Sequence, residues 1–517
     1  MQWKRYKALP PSQKQDESYY IIGLDIGNDS TGIAFYNLAE GEPELIDLSG
    51  GYGRPTIPTA MLYMAEQREW VYGEYAVLNR GMGRECFISG LVERLGSSEY
   101  IDVDGKPLSV VALLGMYIKE LLGNLRHINP KAEIAGIVAA VPSYFSAQAR
   151  EELVRAFKAA GYEKELIGLV SDRECVFAYH YHKEGGAQTG KGLLIDYGAR
   201  GVRGGVFAAE AGDVLAIKSL SSRFDDNIGT QAISAEVYQL FADFYAAQTA
   251  SQPATMPERQ LQDQLQTFTY QHQDLLFQKA IRQKPAKLYF NFAYPPFQQT
   301  VSAEQADALI APFRQGFNGF IRQVFEQNLH GEAHITDMDA VICVGGGFEM
   351  LWAREAVTAL FPQTKLRLYK NVKSVTALGA ALWAARELEA ATGPAIQLED
   401  SHQLAVDIGL AVGQSLVPLA ECNHFWWQQH PPKLIIVNAP VQGEVPLTIV
   451  ARSPEGEVKK LVSTRLTGLP ERPKGTTRLQ VGLHFLSHQE ARATVSDYGF
   501  GELFPKTDYS CEIPVRL

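Results

Sequence analysis

A short apolar run ending in Asp-x-Gly occurs twice in this chain, and the repeat constrains the fold more than any other feature. Tyr20-Ile21-Ile22-Gly23-Leu24 leads into Asp25-Ile26-Gly27, and Gly192-Leu193-Leu194-Ile195 leads into Asp196-Tyr197-Gly198. Each unit reads as a buried strand that ends at a carboxylate and turns on glycine. Such a carboxylate can hold Mg²⁺ through water, while backbone N–H groups of the turn face phosphate oxygens. Single copies arise by chance in many buried strands. Two copies with most of a domain between them predict a duplicated fold that clamps a nucleotide between its halves.

Composition narrows the class. The 517 residues are 46% hydrophobic and 21% charged, enough for about two or three cores. A net charge of −10 argues against a general nucleic-acid binder, which would carry a basic face. No run reaches about 18 uninterrupted apolar residues, so no membrane span is expected. Met1 to Ser18 carries Lys4, Arg5, Lys7 and Lys14 but no apolar stretch; it reads as a loose tail and not as a secretory leader. Cys86, Cys175, Cys343, Cys422 and Cys511 are scattered and odd in number, which fits reduced thiols in a cytoplasm.

Residues 19 to about 390 alternate short apolar runs with helical patterns, as in an α/β domain. Ile134 to Val141 reads as a buried strand closed by Pro142. A helix follows from near Ser146, with Ala149, Leu153, Phe157 and Ala160 on one face and Gly161 as its stop. Ala340 to Val344 is a further strand, ending in Gly345-Gly346-Gly347, with helices expected over Trp352–Leu360 and Thr376–Leu388. Thr249 to Gln266, polar and holding Pro253 and Pro257, reads as a surface loop. Ala391-Thr392-Gly393-Pro394 breaks the last helix, and 391–401 reads as a linker. Beyond it, Leu479, Val481, Leu483 and Phe485 alternate strictly, as do Leu447, Ile449 and Ala451. A separate β-sandwich-like domain is therefore expected at about 402 to 517.

The order of these pieces resembles the DnaK-type (seventy-kilodalton heat-shock) chaperones, whose ATPase half has the α/β actin-like fold of two duplicated lobes. Ile22–Gly27 is similar to the family's first phosphate loop, Ala139–Phe145 to its "TVPAYF" connection, and Leu194–Gly198 to its second phosphate loop. Phe224-Asp225-Asp226-Asn227 resembles "DFDN", Val344–Gly347 the adenosine loop, and Ala377–Ala381 the "AYGAA" helix. Leu466–Pro470, with Pro473 and Gly475, resembles the "GIPPAPRG" turn of the substrate-binding β-domain.

The resemblance implies ATP or ADP with Mg²⁺. Asp25 and Asp196 would hold the metal through water, and Gly27, Asn28, Asp29, Gly198, Ala199, Gly201, Gly345, Gly346 and Gly347 would line the nucleotide. Lys279 and Arg282, one helical turn apart on the expected helix Leu275–Lys284, correspond to a basic helix that clasps adenosine; a solvated face is the plainer reading. The family's water-positioning Glu maps onto Asp172, with Glu174 as a rival. The β-domain would hold unfolded or extended peptide, or a protein partner, with co-chaperones acting on the cycle. Phe425-Trp426-Trp427 in that domain reads either as core or as an apolar binding patch.

Departures from the pattern bear on catalysis. The first loop has Asn28-Asp29 in place of two threonines, and Leu91 to Arg94 contains no lysine where the family's catalytic one belongs, Glu93 taking its place. A family Asp becomes Arg203, and the adenine-stacking arginine becomes Glu349. Arg200, in the second loop, either replaces the missing lysine near the γ-phosphate or is a plain exposed arginine. No helical lid follows the β-domain before Leu517, so bound peptide should leave quickly. Two functions therefore compete: a DnaK-like chaperone, and a nucleotide-binding scaffold or sensor with little or no hydrolysis. A sugar or acetate kinase on the same fold would explain the paired loops but not the "VPSYF" segment or the β-domain.

Overall fold

Two sheets built on one plan carry the two Asp-x-Gly units. The computed structural model describes residues 19–47, 56–81, 85–125, 133–143, 145, 147–186, 188–250, 256–326, 335–399, 404, 406–412, 415–422, 426, 430–453, 456–486 and 490–517. The tail expected at 1–18 lies outside them. In the first sheet the strand order is Leu166–Ser171, Glu133–Val141, Tyr19–Ile26, Ser30–Asn37, Glu42–Leu45. The first three strands run parallel and the last three pair antiparallel. In the second the order is Leu366–Leu368, Ala340–Val344, Gly190–Tyr197, Val202–Glu210, Val214–Ser219, Ala395–Glu399. Its parallel and antiparallel pairings repeat those of the first. Each sheet thus has a parallel half joined to an antiparallel hairpin, and each Asp-x-Gly unit forms the bend of that hairpin.

The central strands are buried on both faces, which is why they read as unbroken apolar runs. Ile21, Ile22 and Leu24 are fully buried, as are Leu193 and Ile195. Helix Val375–Glu387 is almost wholly apolar and packs on the first sheet and on helix Asp172–Lys183. Two glycines permit this approach. A Cβ on Gly23 would run into the backbone of Ala377 and Ala381, and one on Gly379 into the carbonyl of Cys175. The helix expected from Ser146 spans Ala147–Ala160. It buries Ala149, Leu153, Phe157 and Ala160, and Gly161 follows it at φ +90°, a backbone state that glycine enters freely.

The polar stretch 249–266 is not a loop throughout. Helix Thr230–Thr249 is followed by helix Glu258–Ile281, with Pro257 as its N-cap. A sparse apolar stripe suffices there, because Leu265, Phe268 and Leu276 are buried against aromatic neighbours such as Phe241 and Phe290. This helix also reaches residues 77–81. Arg80 donates to Asp263 at 2.5 Å, Gln264 to the Gly81 carbonyl at 2.7 Å, and Thr267 to the Val77 carbonyl at 3.2 Å.

Two compact units divide the chain. The second contains Glu399–Leu517 together with Ser221–Phe224. Within it, Phe224 donates its N–H to the Leu486 carbonyl at 2.7 Å, and Arg223 pairs with Glu490 at 2.9 Å. Of the stretch 391–401, Ala395–Glu399 forms an edge strand rather than free linker, and residues 400 and 401 lie outside the described set. The unit has two antiparallel sheets. One is ordered Ser415–Ala420, Asp407–Val412, Glu444–Arg452, Val458–Thr467, the other Lys433–Val437, Thr477–Phe485, Glu490–Asp497, Ser510–Arg516. Their inward residues, including Ile408, Ile449, Val481 and Val495, share one core with Trp426. Trp426 therefore belongs to the interior; Phe425 and Trp427 lie outside the described residues. Arg472 and Asp497 form a buried two-pronged ion pair, both bonds at 2.8 Å.

Candidate functional site

Both Asp-x-Gly bends have the same internal bond. The Gly27 N–H donates to the Ser30 carbonyl at 3.0 Å, and the Gly198 N–H to the Gly201 carbonyl at 2.9 Å. A Cβ on Gly27 would stand 2.7 Å from that Ser30 oxygen, so the first bend requires glycine. Asn28 accepts the Glu93 N–H at 3.2 Å, and the Asp29 carbonyl accepts the Thr59 N–H at 2.9 Å. The second bend is braced from behind. The Gly198 and Ala199 carbonyls accept the N–H groups of Thr230 and Gln231, at 3.2 and 2.9 Å, from the first turn of helix Thr230–Thr249. Arg200 is exposed at the apex of this bend.

Both carboxylates have pKa values raised by burial, and Asp172 acts on each. Burial pushes Asp25 up to about 7, with Asp172 and Asp196 adding to the rise. Burial likewise pushes Asp196 up to about 6; Arg203 opposes the rise and Asp172 adds to it. Three acidic groups from different elements, each partly solvent-accessible, thus lie within electrostatic range, Asp172 and Asp196 acting on Asp25 and Asp172 on Asp196. Asp172 opens helix Asp172–Lys183, whose start is fixed by reciprocal bonds between Ser171 and Glu174. Glu174, the rival to Asp172, is therefore engaged as a cap.

Arg203 answers part of this charge. It lies directly across the second hairpin from Asp196, where the first hairpin has Gly32 across from Asp25. Its Nη1 donates to Asp172 Oδ2 at 3.2 Å and to Ser143 Oγ at 3.0 Å. Arg150 lies within range of Asp172 and Glu174, both of which favour its charged form against the burial that opposes it. Neither arginine pairing is visible in a motif, because each partner lies on a different element.

The glycine loop packs against the second bend. A Cβ on Gly345 would lie 2.7 Å from Asp196 Oδ1, and one on Gly347 would enter the Tyr197 ring. Gly345 stands at φ +95° and opens a short 3-10 turn, Gly346–Glu349. Glu349 is exposed at the end of that turn. Lys279 and Arg282 close helix Glu258–Ile281, where cations complement the terminal carbonyls. Among the described residues, neither pairs with the three carboxylates.

As to metal, no group of three or more His, Cys, Asp and Glu side chains stands at ligating distance among the described residues. The carboxylates that would suit Mg²⁺ are Asp25 and Asp196, at equivalent places in the two hairpins; burial raises both pKa values, and a cation would favour their charged forms. No helix among the described residues is long and apolar enough to cross a membrane.

Residues 42–207 match the C-terminal model of a family of unknown function, DUF5716, and residues 406–517 match a domain of unknown function, DUF8552. Two curated relatives are the chaperone proteins DnaK of Thermosipho africanus (strain TCF52B) and Thermosipho melanesiensis (strain DSM 12029 / CIP 104789 / BI429). Each is 21% identical over 510 residues, covering 93% of this chain and 79% of the relative. Over most of its length the chain is distantly similar to the DnaK chaperones.

Proposed function

We propose that this protein is a DnaK-like, chaperone-type nucleotide-binding protein with an actin-like fold in its first unit. Mg-ATP or Mg-ADP would be held between the two Asp-x-Gly bends. The matching placement of Asp25 and Asp196 carries the reading: two buried carboxylates at equivalent positions of matching hairpins suit a divalent cation that bridges to phosphate. Asp25 and Asp196 would hold the metal through water, and the bends at Gly27–Asp29 and Gly198–Gly201 would meet the phosphate chain. Bound Mg²⁺ would supply charge neutralisation at the phosphates. The second unit would bind an extended peptide or a protein partner through strand-like backbone bonding.

The Arg203–Asp172 pair favours little or no hydrolysis. A carboxylate already bonded to a guanidinium is a poor acceptor for a proton from attacking water. Glu93, held near the first bend, adds negative charge where phosphoryl transfer calls for a cation. Isothermal titration with Mg-ATP and Mg-ADP tests binding, and phosphate release with and without unfolded peptide tests turnover. Absence of binding to either nucleotide sinks the main reading; rapid phosphate release sinks the low-turnover one.

A further inference from the structure

Residues 372–374 form one 3-10 turn that touches both hairpin systems. On one side, the Val372 carbonyl accepts the Gly345 N–H at 2.9 Å. On the other, Ser374 Oγ lies 3.8 Å from where a Cβ on Gly32 would stand, and Gly32 is the cross-strand partner of Asp25. Between these two anchors sits Lys373. Its Cδ and Cε lie 3.5 Å from the position a Cβ would take on Gly346. The lysine stem thus runs alongside the loop within ordinary packing range of Gly346, and the side chain remains partly solvent-accessible. Gly346 is also the one glycine of the three whose lack of a side chain is not explained by Tyr197 or Asp196.

We infer that Lys373 is an anion-binding residue of this site, contacting the phosphate chain of the bound ligand. The inference deepens the nucleotide reading above and rests on it. Asp25, Asp172 and Asp196 bring negative charge together here, and Arg203 is committed to Asp172 and Ser143, so a polyphosphate needs cationic partners beyond the metal. Lys373 is placed to supply one from beside the glycine loop that packs on Asp196, on a segment held by the Gly345–Val372 bond and by close packing. The sequence motifs give no sign of it, since the catalytic lysine is sought near Glu93 and not beside the glycine loop.

Titration calorimetry on the full chain with Mg-ADP and with adenosine tests this, using Lys373→Gln and Lys373→Arg. Loss of a charge-assisted contact should weaken Mg-ADP about tenfold or more in Lys373→Gln. Adenosine binding should be unchanged, and Lys373→Arg should retain most of the Mg-ADP affinity. Equal Mg-ADP affinity in wild type and Lys373→Gln overturns the inference while leaving the nucleotide reading intact. A parallel loss of adenosine binding also overturns it, since the side chain would then act only by packing on Gly346. Failure of wild type to bind Mg-ADP removes both.

Discussion

Arg203 donates to Asp172 across 3.2 Å, joining a hairpin strand of the second sheet to the first residue of a helix that packs beside the first. The two side chains are about equally shielded, at 20% and 21% exposure. Removing the arginine should leave Asp172 with only the more distant compensation of Arg150 beside Asp25 and Asp196. Arg203→Ala is expected to cost about 1–2 kcal/mol in thermal unfolding. In a double-mutant cycle with Asp172→Ala, most of that cost should disappear; two additive effects would show that the pair is not coupled. Phosphate release should rise in Arg203→Ala if the pairing is what restrains turnover.

Protonation of Asp25 gives a second test. Its folded-state pKa is raised from an ordinary 3.8 to about 7. A raised carboxylate contributes stability that is full below its unfolded pKa and is lost as pH climbs through the folded value. The unliganded protein should therefore lose stability between about pH 4 and 7, with Asp196 adding a loss of the same sign up to about 6. Asp25→Asn should flatten this slope and stabilise the unliganded protein at pH 8 by on the order of 2 kcal/mol. Melting curves across pH would decide it, and parallel profiles for wild type and variant would refute the assignment.

Arg80 and Asp263 offer a third. Their bond, with Gln264 and Thr267 beside it, ties helix Glu258–Ile281 to residues 77–81. Arg80→Ala should cost about 1 kcal/mol and raise amide exchange across 77–81, where the carbonyls of Val77 and Gly81 are held. Unaltered exchange in that stretch would mean that the helix is anchored by other contacts.

In the second unit, Arg472→Met leaves Asp497 buried without its guanidinium. Asp497 still accepts from Gly499 and Thr507, but a buried charge stripped of its ion partner typically costs about 3–5 kcal/mol. Limited proteolysis of the full chain should then cut selectively within 399–517. Replacing both residues with apolar ones should recover much of the loss.

The elements most legible in the sequence were those whose burial is dense and whose ends are punctuated. Ala340–Val344 has an unbroken apolar run and a glycine stop, and Ala147–Ala160 has a regular apolar face before Gly161. Helix Glu258–Ile281 was obscured because glutamines fill most of its turns and two prolines stand just before it, although Pro257 serves to start the helix. At the site, repetition alone pointed to Asp25 and Asp196 as a pair. The partner of Asp172 was not readable, since Arg203 is 31 positions away on another element. Nor was Lys373, whose place depends on a backbone bond from Gly345 to Val372. Local pattern marks where chains bend and bury; which charges then meet is decided by how distant segments cross.

The four residues Ser221–Phe224 belong with Glu399–Leu517, while the chain on either side of them belongs to the first unit. No single break in the gene can therefore separate the two parts cleanly. A recombination point near residue 399 would carry away the β-rich portion without Arg223, the ion partner of Glu490, or the Phe224 amide that Leu486 accepts. Exchange of the C-terminal portion as a cassette should be penalised, and inherited changes in residues 484–490 should travel with changes at 221–224.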